Sequence, residues 1–178
     1  MSKQRPTIWT IGHSTRAAAE FIQVLQAHHI EALVDVRSFP GSRRYPHFNR
    51  AELAQTLSEA GIEYKHMPQL GGRRKPNPQS TNTALRNASF RAYADHMESV
   101  EFKKGIAELV SLAARKRTAI MCAEAVWWSC HRSLISDYLK ATGFDVIHIM
   151  NETQTQIHPY TSAARVVEGQ LSYRGLLL

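Results

Sequence analysis

The chain has 178 residues, of which 43% are hydrophobic and 21% are charged. This length and composition are typical of one globular domain that buries its own core, and they exclude a long disordered protein. The formal net charge is +7, which favours anionic partners such as nucleic acid, nucleotides or other phosphorylated molecules. A basic surface without any specific ligand is the competing interpretation.

The chain contains two cysteines, Cys122 and Cys130, whereas small secreted domains are usually rich in disulfides. The N-terminal residues lack the apolar core of a signal peptide, and no apolar run is long enough to cross a bilayer. We therefore predict a cytoplasmic protein that has no membrane partner and keeps both thiols reduced.

Strand-like and helix-like segments alternate along the chain, as judged from the spacing of apolar residues. The predicted strands are 7–11, 32–36, 62–67, 118–122 and 145–149. The predicted helices are 16–28, 50–60, 89–98, 101–115 and 129–141. Residues 151–178 are less regular and are expected to pack on the core as a tail.

Residues suited to helix N-termini precede three of these helices. Ser14 or Thr15 is expected to cap the first helix, and Asn49 precedes the second, where Glu52 is placed for a capping box. Ser129 is expected to cap the last helix.

The alternation predicts a single α/β domain over residues 1–178, with its core at about 7–150. Its sheet should be mostly parallel, Rossmann-like or flavodoxin-like, with about five strands flanked by helices. In such folds ligands bind outside the carboxyl ends of the strands. The candidate site therefore lies in the loops that follow the strands.

Those loops carry polar and glycine residues that are distant in sequence, and we predict that they converge on one rim. They are His13 and Ser14 in the first loop; Asp35, Arg37, Ser42 and Arg43 in the second; Gly71, Gly72 and Arg73 in the third; and Cys122, Glu124, Cys130, His131 and Arg132 in the fourth.

The segment from Cys122 to Arg132 is the most informative of these. Cys122 should end a strand, and Cys130, His131 and Arg132 should lie in the first turn of the next helix. Backbone N–H groups at a helix start attract anions and lower the pKa of a nearby thiol. Arg132 would add bidentate recognition of a phosphate or carboxylate.

Three functions fit this segment. Cys130 or Cys122 would be a nucleophile with His131 or His13 as its base; the cysteines and a histidine would bind a metal such as zinc; or the helix start would only bind an anion. Against all three, unpaired cysteines are often simply small buried hydrophobes. The cysteine spacing matches neither a zinc finger nor the phosphatase signature, in which five residues separate Cys from Arg.

Asp35 would serve as a base or a ribose ligand, or it would only shape its turn by pairing with Arg37. The pair Gly71-Gly72, followed by Arg73, would let backbone amides approach a phosphate, or would only form a turn.

Two basic clusters and two tryptophans remain open to more than one interpretation. The clusters would bind nucleic acid, with neighbouring aromatic rings stacking on bases, or would only be solvated. Trp127 and Trp128 would wall a pocket or pack against the tail. The clusters are Arg43 and Arg44, beside Tyr45, His47 and Phe48, and Arg73, Arg74 and Lys75.

Five motifs in order resemble the DUF488 family of bacterial and archaeal proteins, over about residues 7–150. They are Ile11-Gly12-His13-Ser14, the stretch from Leu33 to Arg43 that holds Asp35, Arg37, Pro40 and Ser42, Leu70-Gly71-Gly72, Cys122-x-Glu124 and Cys130-His131-Arg132; His158-Pro159-Tyr160-Thr161 in the tail is also similar. The resemblance implies a small intracellular domain. Because sequence rather than an activity defines this family, the resemblance does not choose among the functions above.

Our leading hypothesis is an enzyme, a Cys/His-dependent hydrolase or transferase, that acts on a phosphate-bearing or nucleotide-like substrate. Arg37, Arg43 and Arg132 would hold the anion. The nucleophile and the acid/base groups would come from Cys122, Glu124, Cys130 and His131, with His13 and Asp35 opposite. The alternatives are a non-catalytic nucleic-acid-binding protein that uses its basic loops, and a Cys/His metal-binding protein. The sequence identifies no cofactor and no oligomeric state.

Overall fold

The computed structural model describes residues 4–175. Its central sheet contains the strands β1 (Thr7–Gly12), β2 (Ala32–Asp35), β3 (Glu63–His66), β4 (Thr118–Cys122), β5 (Asp145–Ile149) and β6 (Thr155–Ile157). The strands lie in the order β3-β2-β4-β1-β5-β6. All neighbouring pairs are parallel except β5 and β6, which are antiparallel. The predicted five-stranded parallel sheet is confirmed, and a sixth strand joins its edge.

Five α-helices flank this sheet within the described residues: α1 (Ala18–Ala27), α2 (Arg50–Glu59), α3 (Ala88–Met97), α4 (Val100–Arg115) and α5 (Arg132–Ala141). Phe21 and Leu53 anchor α1 and α2 on one face. Tyr93, Phe102 and Leu134 anchor α3, α4 and α5 on the other. The result is a three-layer, Rossmann-like α/β domain. None of these helices is both long and apolar enough to cross a membrane.

Burial of the central strands explains their apolar sequences. Every residue of β2 and of β4 is buried, because helices cover both faces of a parallel sheet. Alternate residues of one strand serve opposite cores: Val34 faces α3–α5, whereas Leu33 faces α1 and α2.

The strand order places a crevice at the carboxyl end of β4. The helices that follow β1 and β2 pack on one face of the sheet, whereas α5, which follows β4, packs on the opposite face. β4 lies between β1 and β2. The chain after β4 therefore runs to the opposite face of the sheet from the chain that follows each of these two neighbours. Such reversals open the crevices in which α/β proteins bind ligands.

The tail is more regular than expected, which corrects the prediction for it. Besides β6, it forms a hairpin of β7 (Arg165–Val167) and β8 (Gln170–Ser172). It packs on the domain through Tyr173, which is 3% exposed. Residues 176–178, which the prediction also assigned to the tail, lie outside the described residues.

The first two helix starts differ from the predicted capping. Ala17 occupies the N-cap of α1 without a capping side chain, so neither Ser14 nor Thr15 caps it. Asn49 does precede α2, but it makes no side-chain cap. Its Oδ1 instead accepts a hydrogen bond from the backbone N–H of Ser42 at 2.5 Å, which ties the loop after β2 to the helix.

The last helix begins later than predicted. A short 3-10 turn, Trp127–Ser129, precedes it, and the Ser129 hydroxyl donates to the Val126 carbonyl instead of capping the helix. Because α5 starts at Arg132, Cys130 and His131 lie in the approach to the helix. The expectation that all three residues occupy its first turn is therefore wrong for the first two.

Candidate functional site

Most of the predicted site residues line one open cavity of about 610 Å³ at the carboxyl ends of the strands. They are His13, Ser14, Arg37, Ser42, Gly72, Arg73, Cys122, Glu124, Cys130 and His131. Asp35, Arg43, Gly71 and Arg132 do not line it. Phe39, Tyr45 and Phe90 add aromatic walls, of which Phe90 is on α3 and was not predicted.

The loop after β4 folds directly over the end of β1. The backbone N–H groups of His13 and Ser14 donate to the carbonyls of Cys122 and Ala123 at 2.9 and 3.0 Å. A Cβ on Gly12 would lie 1.6 Å from the Glu124 carbonyl oxygen, so only glycine permits this approach. The approach joins the His13 loop to the Cys122 loop.

The two cysteines form what we call the sulfur pair. Cys122, at the end of β4, is 2% exposed, and Cys130 is 8% exposed. Their Sγ atoms lie 2.9 Å apart and share a hydrogen bond. Both side chains line the cavity, and neither forms a disulfide.

The two thiols of the sulfur pair differ in pKa. The hydrogen bond from Cys122 lowers the pKa of Cys130 to about 6, against the opposing effect of burial. The charge of Arg132 and its backbone N–H, 3.4 Å from the Cys130 Sγ, act in the same direction. Burial raises the pKa of Cys122, as does its contact with Cys130. These directions favour Cys130 as the thiolate and Cys122 as the hydrogen-bond donor of the pair.

Arg132 points into the protein, which corrects the expectation that it grips a bound anion. Its side chain is 1% exposed. Its Nη2 donates to the carbonyls of Glu124 and Ala125 at 2.8 and 3.4 Å, and its Nη1 donates to Thr10 Oγ1 at 3.2 Å. The helix start turns this side chain towards β1, where two backbone carbonyls and Thr10 accept from its Nη atoms, while its buried Nε finds no hydrogen-bond partner among the described residues. Among the described residues no carboxylate forms an ion pair with it.

His131 is held in one tautomer beside Gly72. Its Nε2–H donates to the Val36 carbonyl at 2.7 Å, which leaves the lone pair on Nδ1. A Cβ on Gly72 would lie 2.5 Å from that Nδ1. Burial lowers the pKa of His131 to about 4, so the ring is neutral at physiological pH.

His13 and Arg37 form a second polar unit, supported from behind by Asp35. Asp35 is fully buried, and its Oδ2 accepts hydrogen bonds from Arg37 Nη2 at 2.8 Å and from the Tyr64 hydroxyl at 2.6 Å. It orients Arg37, as the structural interpretation of Asp35 predicted, and it does not reach the cavity as a base. Arg37 Nη1 in turn lies 3.4 Å from His13 Nε2. Burial lowers the pKa of His13 to about 4.

The remaining predicted anion ligands divide into loop supports and exposed cations. Gly71 passes against Ser38, whose hydroxyl accepts from the backbone N–H of Arg73 at 3.0 Å. Arg73 is exposed, stacks over the Phe39 ring, and forms no ion pair with a described residue. Arg43 is exposed outside the cavity, whereas Arg74 is held by carbonyls and by Glu101. Only Arg37 and Arg73 therefore present guanidinium groups to the cavity.

The two tryptophans have different environments: one packs against the tail and the other lines a pocket, the two roles that the sequence left open. Trp127 is buried against the tail: it stacks on His148 with ring centroids 4.7 Å apart and donates to Gln156. Trp128 is 54% exposed and walls a neighbouring cleft.

The metal-binding interpretation finds no support in the donor geometry. Within residues 4–175, no three His, Cys, Asp or Glu side chains are grouped so that they could hold a metal ion. The two cysteines instead share a hydrogen bond with each other.

A buried row of polar side chains behind the cavity escaped the sequence analysis. Thr10 Oγ1 donates to His148 Nδ1, His148 Nε2 to His158 Nδ1 at 2.8 Å, and His158 Nε2 to Asp137 Oδ1 at 2.8 Å. We call these four residues the histidine chain. Arg132 donates to Thr10 at one end, so all its hydrogen bonds run in the same direction, from the Arg132 cation to the Asp137 carboxylate.

A signal for this chain was present in the sequence. Thr10 and His148 are polar residues in otherwise apolar strands, and a buried polar group needs a partner. His158 and Thr161 belong to the tail motif that resembles the DUF488 family. Asp137 accepts from Thr161 at 2.6 Å and from Tyr173 at 2.7 Å, so the partners lie far apart in sequence.

The family model described as "Domain of unknown function DUF488" matches residues 17–139, more than half of the chain. No curated protein and no solved structure matches the chain.

Proposed function

Because this chain belongs to the DUF488 family, whose description assigns no activity, we propose a function from the site itself. The protein is an enzyme in which the Cys130 thiolate attacks a phosphate-bearing or nucleotide-like substrate bound at the carboxyl ends of the strands. The low cysteine content favours the reducing cytoplasm as its location, where this thiolate persists.

The hydrogen bond between the cysteines is the observation that carries the proposal. A thiolate rather than a thiol is the reactive form of cysteine. Cys122 donates to the Cys130 sulfur across 2.9 Å and lowers the pKa of Cys130 to about 6. A purely structural cysteine would be expected to have a raised pKa in such a buried position, as Cys122 does.

Arg132 supports the same assignment in a role that differs from the predicted one. A buried guanidinium without a carboxylate partner is unfavourable unless another anion lies near it. The Cys130 sulfur is such an anion, and it accepts a hydrogen bond from the Arg132 backbone N–H. In this proposal Arg132 stabilises the nucleophile and does not hold the substrate.

The cavity supplies donors and flat surfaces that fit an anionic ring-bearing substrate. The exposed Arg73 guanidinium is suited to bind phosphate in a bidentate manner, whereas Arg37, whose Nε and Nη2 donate to Asp35, offers its Nη1 as a single donor. Phe39, Tyr45 and Phe90 offer apolar and aromatic walls for a base or another planar group. The Glu124 carboxylate at the mouth and the neutral rings of His13 and His131 are the available proton acceptors.

The chemical step is a nucleophilic substitution. The Cys130 sulfur donates an electron pair to the electrophilic atom of the substrate, and the leaving group departs with its bonding pair and takes up a proton. Water or a second acceptor then displaces the sulfur, which restores the thiolate and releases one proton. Both halves are ordinary covalent catalysis by an activated cysteine.

Two measurements on the reduced protein test the proposal. The first is the rate of Cys130 alkylation by iodoacetamide as a function of pH, read by mass spectrometry of the modified peptide. We expect Cys130 to react before Cys122, with a midpoint near 6. The second is turnover of nucleotides and phosphate esters by the wild type, by Cys130→Ser and by the matched variant Cys122→Ser.

The expected pattern is loss of turnover in Cys130→Ser and its retention in Cys122→Ser, whose hydroxyl still donates to the Cys130 sulfur. Cys130 alkylation with a midpoint near the usual thiol value of about 8.5 would contradict the proposal. Turnover that survives in Cys130→Ser would also contradict it.

A further inference from the structure

A second cleft, of about 920 Å³, lies beside the cavity, and we call it the Trp128 cleft. Its wall includes charged and aromatic residues from three separate parts of the chain: the start of α3 with the segment before it, the turn before α5, and the tail. They are Arg86, Phe90, Trp128, Tyr160, Arg165 and Arg174.

The charge of the Trp128 cleft has one sign. Arg86, Arg165 and Arg174 are exposed, and no Asp or Glu is among the residues that line the cleft. None of the three forms an ion pair with a described residue. Elsewhere on the surface, lysines and arginines do pair with carboxylates, as Lys116 does with Glu63 at 3.0 Å. The cleft is thus suited to a ligand with several negative charges.

An exposed aromatic platform lies among these cations. Trp128 is 54% exposed, and its ring is braced edge-on by the buried Trp127, with centroids 5.5 Å apart. Tyr160 is 37% exposed, and Lys140 Nζ lies 4.7 Å from its ring centroid. Trp128 and Tyr160 line the same cleft, and exposed apolar groups gathered in a cleft mark binding sites. An exposed indole fits a flat ring such as a nucleobase.

The Trp128 cleft adjoins the cavity of the sulfur pair. Phe90 lines both, and Trp128 precedes Cys130 by two residues in the chain.

We propose that the Trp128 cleft binds a single-stranded nucleic acid, with a base stacked on Trp128 and neighbouring phosphates on Arg86, Arg165 and Arg174. Repeated phosphates match the three unpaired cations, and an unpaired base matches the aromatic platform. The interior of a duplex offers no exposed base face for stacking, and a peptide made of Asp and Glu alone offers no ring. This surface extends beyond the proposed catalytic site and does not depend on the reactivity of Cys130.

The test is fluorescence anisotropy of a labelled single-stranded oligothymidylate with the wild-type protein. We expect affinity to fall by about an order of magnitude when salt rises from roughly 50 to 200 mM, as for about three phosphate contacts. Trp128→Ala should weaken binding about tenfold or more, because stacking is sequence-independent but needs the ring. Trp128→Phe should restore most of that loss.

A charge-matched pair of variants serves as the control. Arg86→Gln with Arg174→Gln should weaken binding and reduce its dependence on salt. Lys104→Gln with Arg115→Gln removes the same charge from α4, outside the cleft, and should have little effect. Equal weakening by both pairs would overturn the proposal, since any polyanion would then bind by net charge.

Three further outcomes would overturn it: no binding at low salt, tighter binding of a duplex of the same length, or binding of a polyglutamate peptide to the wild type as tight as that of the oligothymidylate. Cys130→Ser should bind the oligonucleotide like the wild type. Oligonucleotide binding without thiolate reactivity would therefore refute the proposed enzyme and leave this inference standing.

Discussion

Two polar clusters meet at Arg132, and they use similar residues in opposite ways. In the cavity, the sulfur pair, His13, Arg37 and His131 face an open space. Behind it, the histidine chain is closed, and each of its rings has a partner at both nitrogens. Histidine with carboxylate is often taken as a sign of catalysis, yet here the more complete histidine–carboxylate array is the buried one.

The two clusters differ more in their access to solvent than in their residue types. In the histidine chain the hydrogen bonds lead from the Arg132 cation at one end to the Asp137 carboxylate at the other. Such a network stabilises one arrangement of the core when it is fully satisfied. The cavity instead keeps polar side chains in reach of solvent.

The largest expected effect tests the structural role of the histidine chain. Asp137→Ala removes the acceptor of His158, Thr161 and Tyr173 and leaves these buried donors without their partner. We expect the free energy of unfolding in urea to fall by about 3–5 kcal/mol. Asp145→Ala, which removes an exposed partner of Arg5, should change it by about 1 kcal/mol or less. Similar losses in both variants would contradict the comparison.

Acid should destabilise both clusters through their neutral histidines. Burial lowers the pKa of His13 and of His131 to about 4 and also lowers that of His148. Between about pH 6.5 and 4 the unfolded chain binds protons that the folded protein does not, so stability is complete above that window and decreases as pH falls through it.

Each such histidine should reduce the free energy of unfolding by up to about 1.4 kcal/mol per pH unit within the window. Urea unfolding across this range measures the effect. His29→Asn, at an exposed left-handed position, should leave the slope unchanged. Stability that does not vary with pH would show that these rings are protonated in the folded protein.

A smaller effect separates the two cysteines. Cys122→Ala removes the donor that lowers the pKa of Cys130, so that pKa should rise by about one unit or more, equivalent to about 1.4 kcal/mol. Cys122→Ser keeps a hydroxyl donor and should leave the value near that of the wild type. The pH profile of Cys130 alkylation measures both, and identical profiles for the alanine and serine variants would exclude the hydrogen bond as the cause.

The smallest effect on stability belongs to the cavity rim. Arg73→Gln removes an exposed guanidinium that contacts the Phe39 ring, so the free energy of unfolding should change by about 0.5 kcal/mol or less. Affinity for inorganic pyrophosphate, measured by calorimetry, should nevertheless fall several-fold. Arg115→Gln on α4 provides the control, and equal affinities in the two variants would remove Arg73 from the proposed anion site.

The sequence predicted the parallel sheet, and it grouped most of the candidate residues that line one cavity, because both depend on local patterns. Apolar runs such as 118–122 identify buried strands, and the polar residues after them must lie at one edge of the sheet. The roles of Asp35 and Arg37 could also be anticipated, since the two residues are close in the chain and pair directly.

The direction of individual side chains could not be predicted in the same way. Arg132 follows Cys130 and His131, which suggested an anion ligand, but its direction depends on Thr10 and on loop carbonyls distant in sequence. The late start of α5 depends likewise on Trp127, which packs against the tail. The histidine chain joins four elements, so no local spacing reveals it.

The short distance between the sulfur atoms has a consequence for handling the protein. At 2.9 Å, they need to approach by only about 0.9 Å to reach the length of a covalent sulfur–sulfur bond. An oxidant such as a peroxide, by taking two electrons from the pair as the one remaining thiol proton leaves, would join the two sulfurs and leave no thiolate. Exposure to air during purification would then silence the site, and added reductant would restore it.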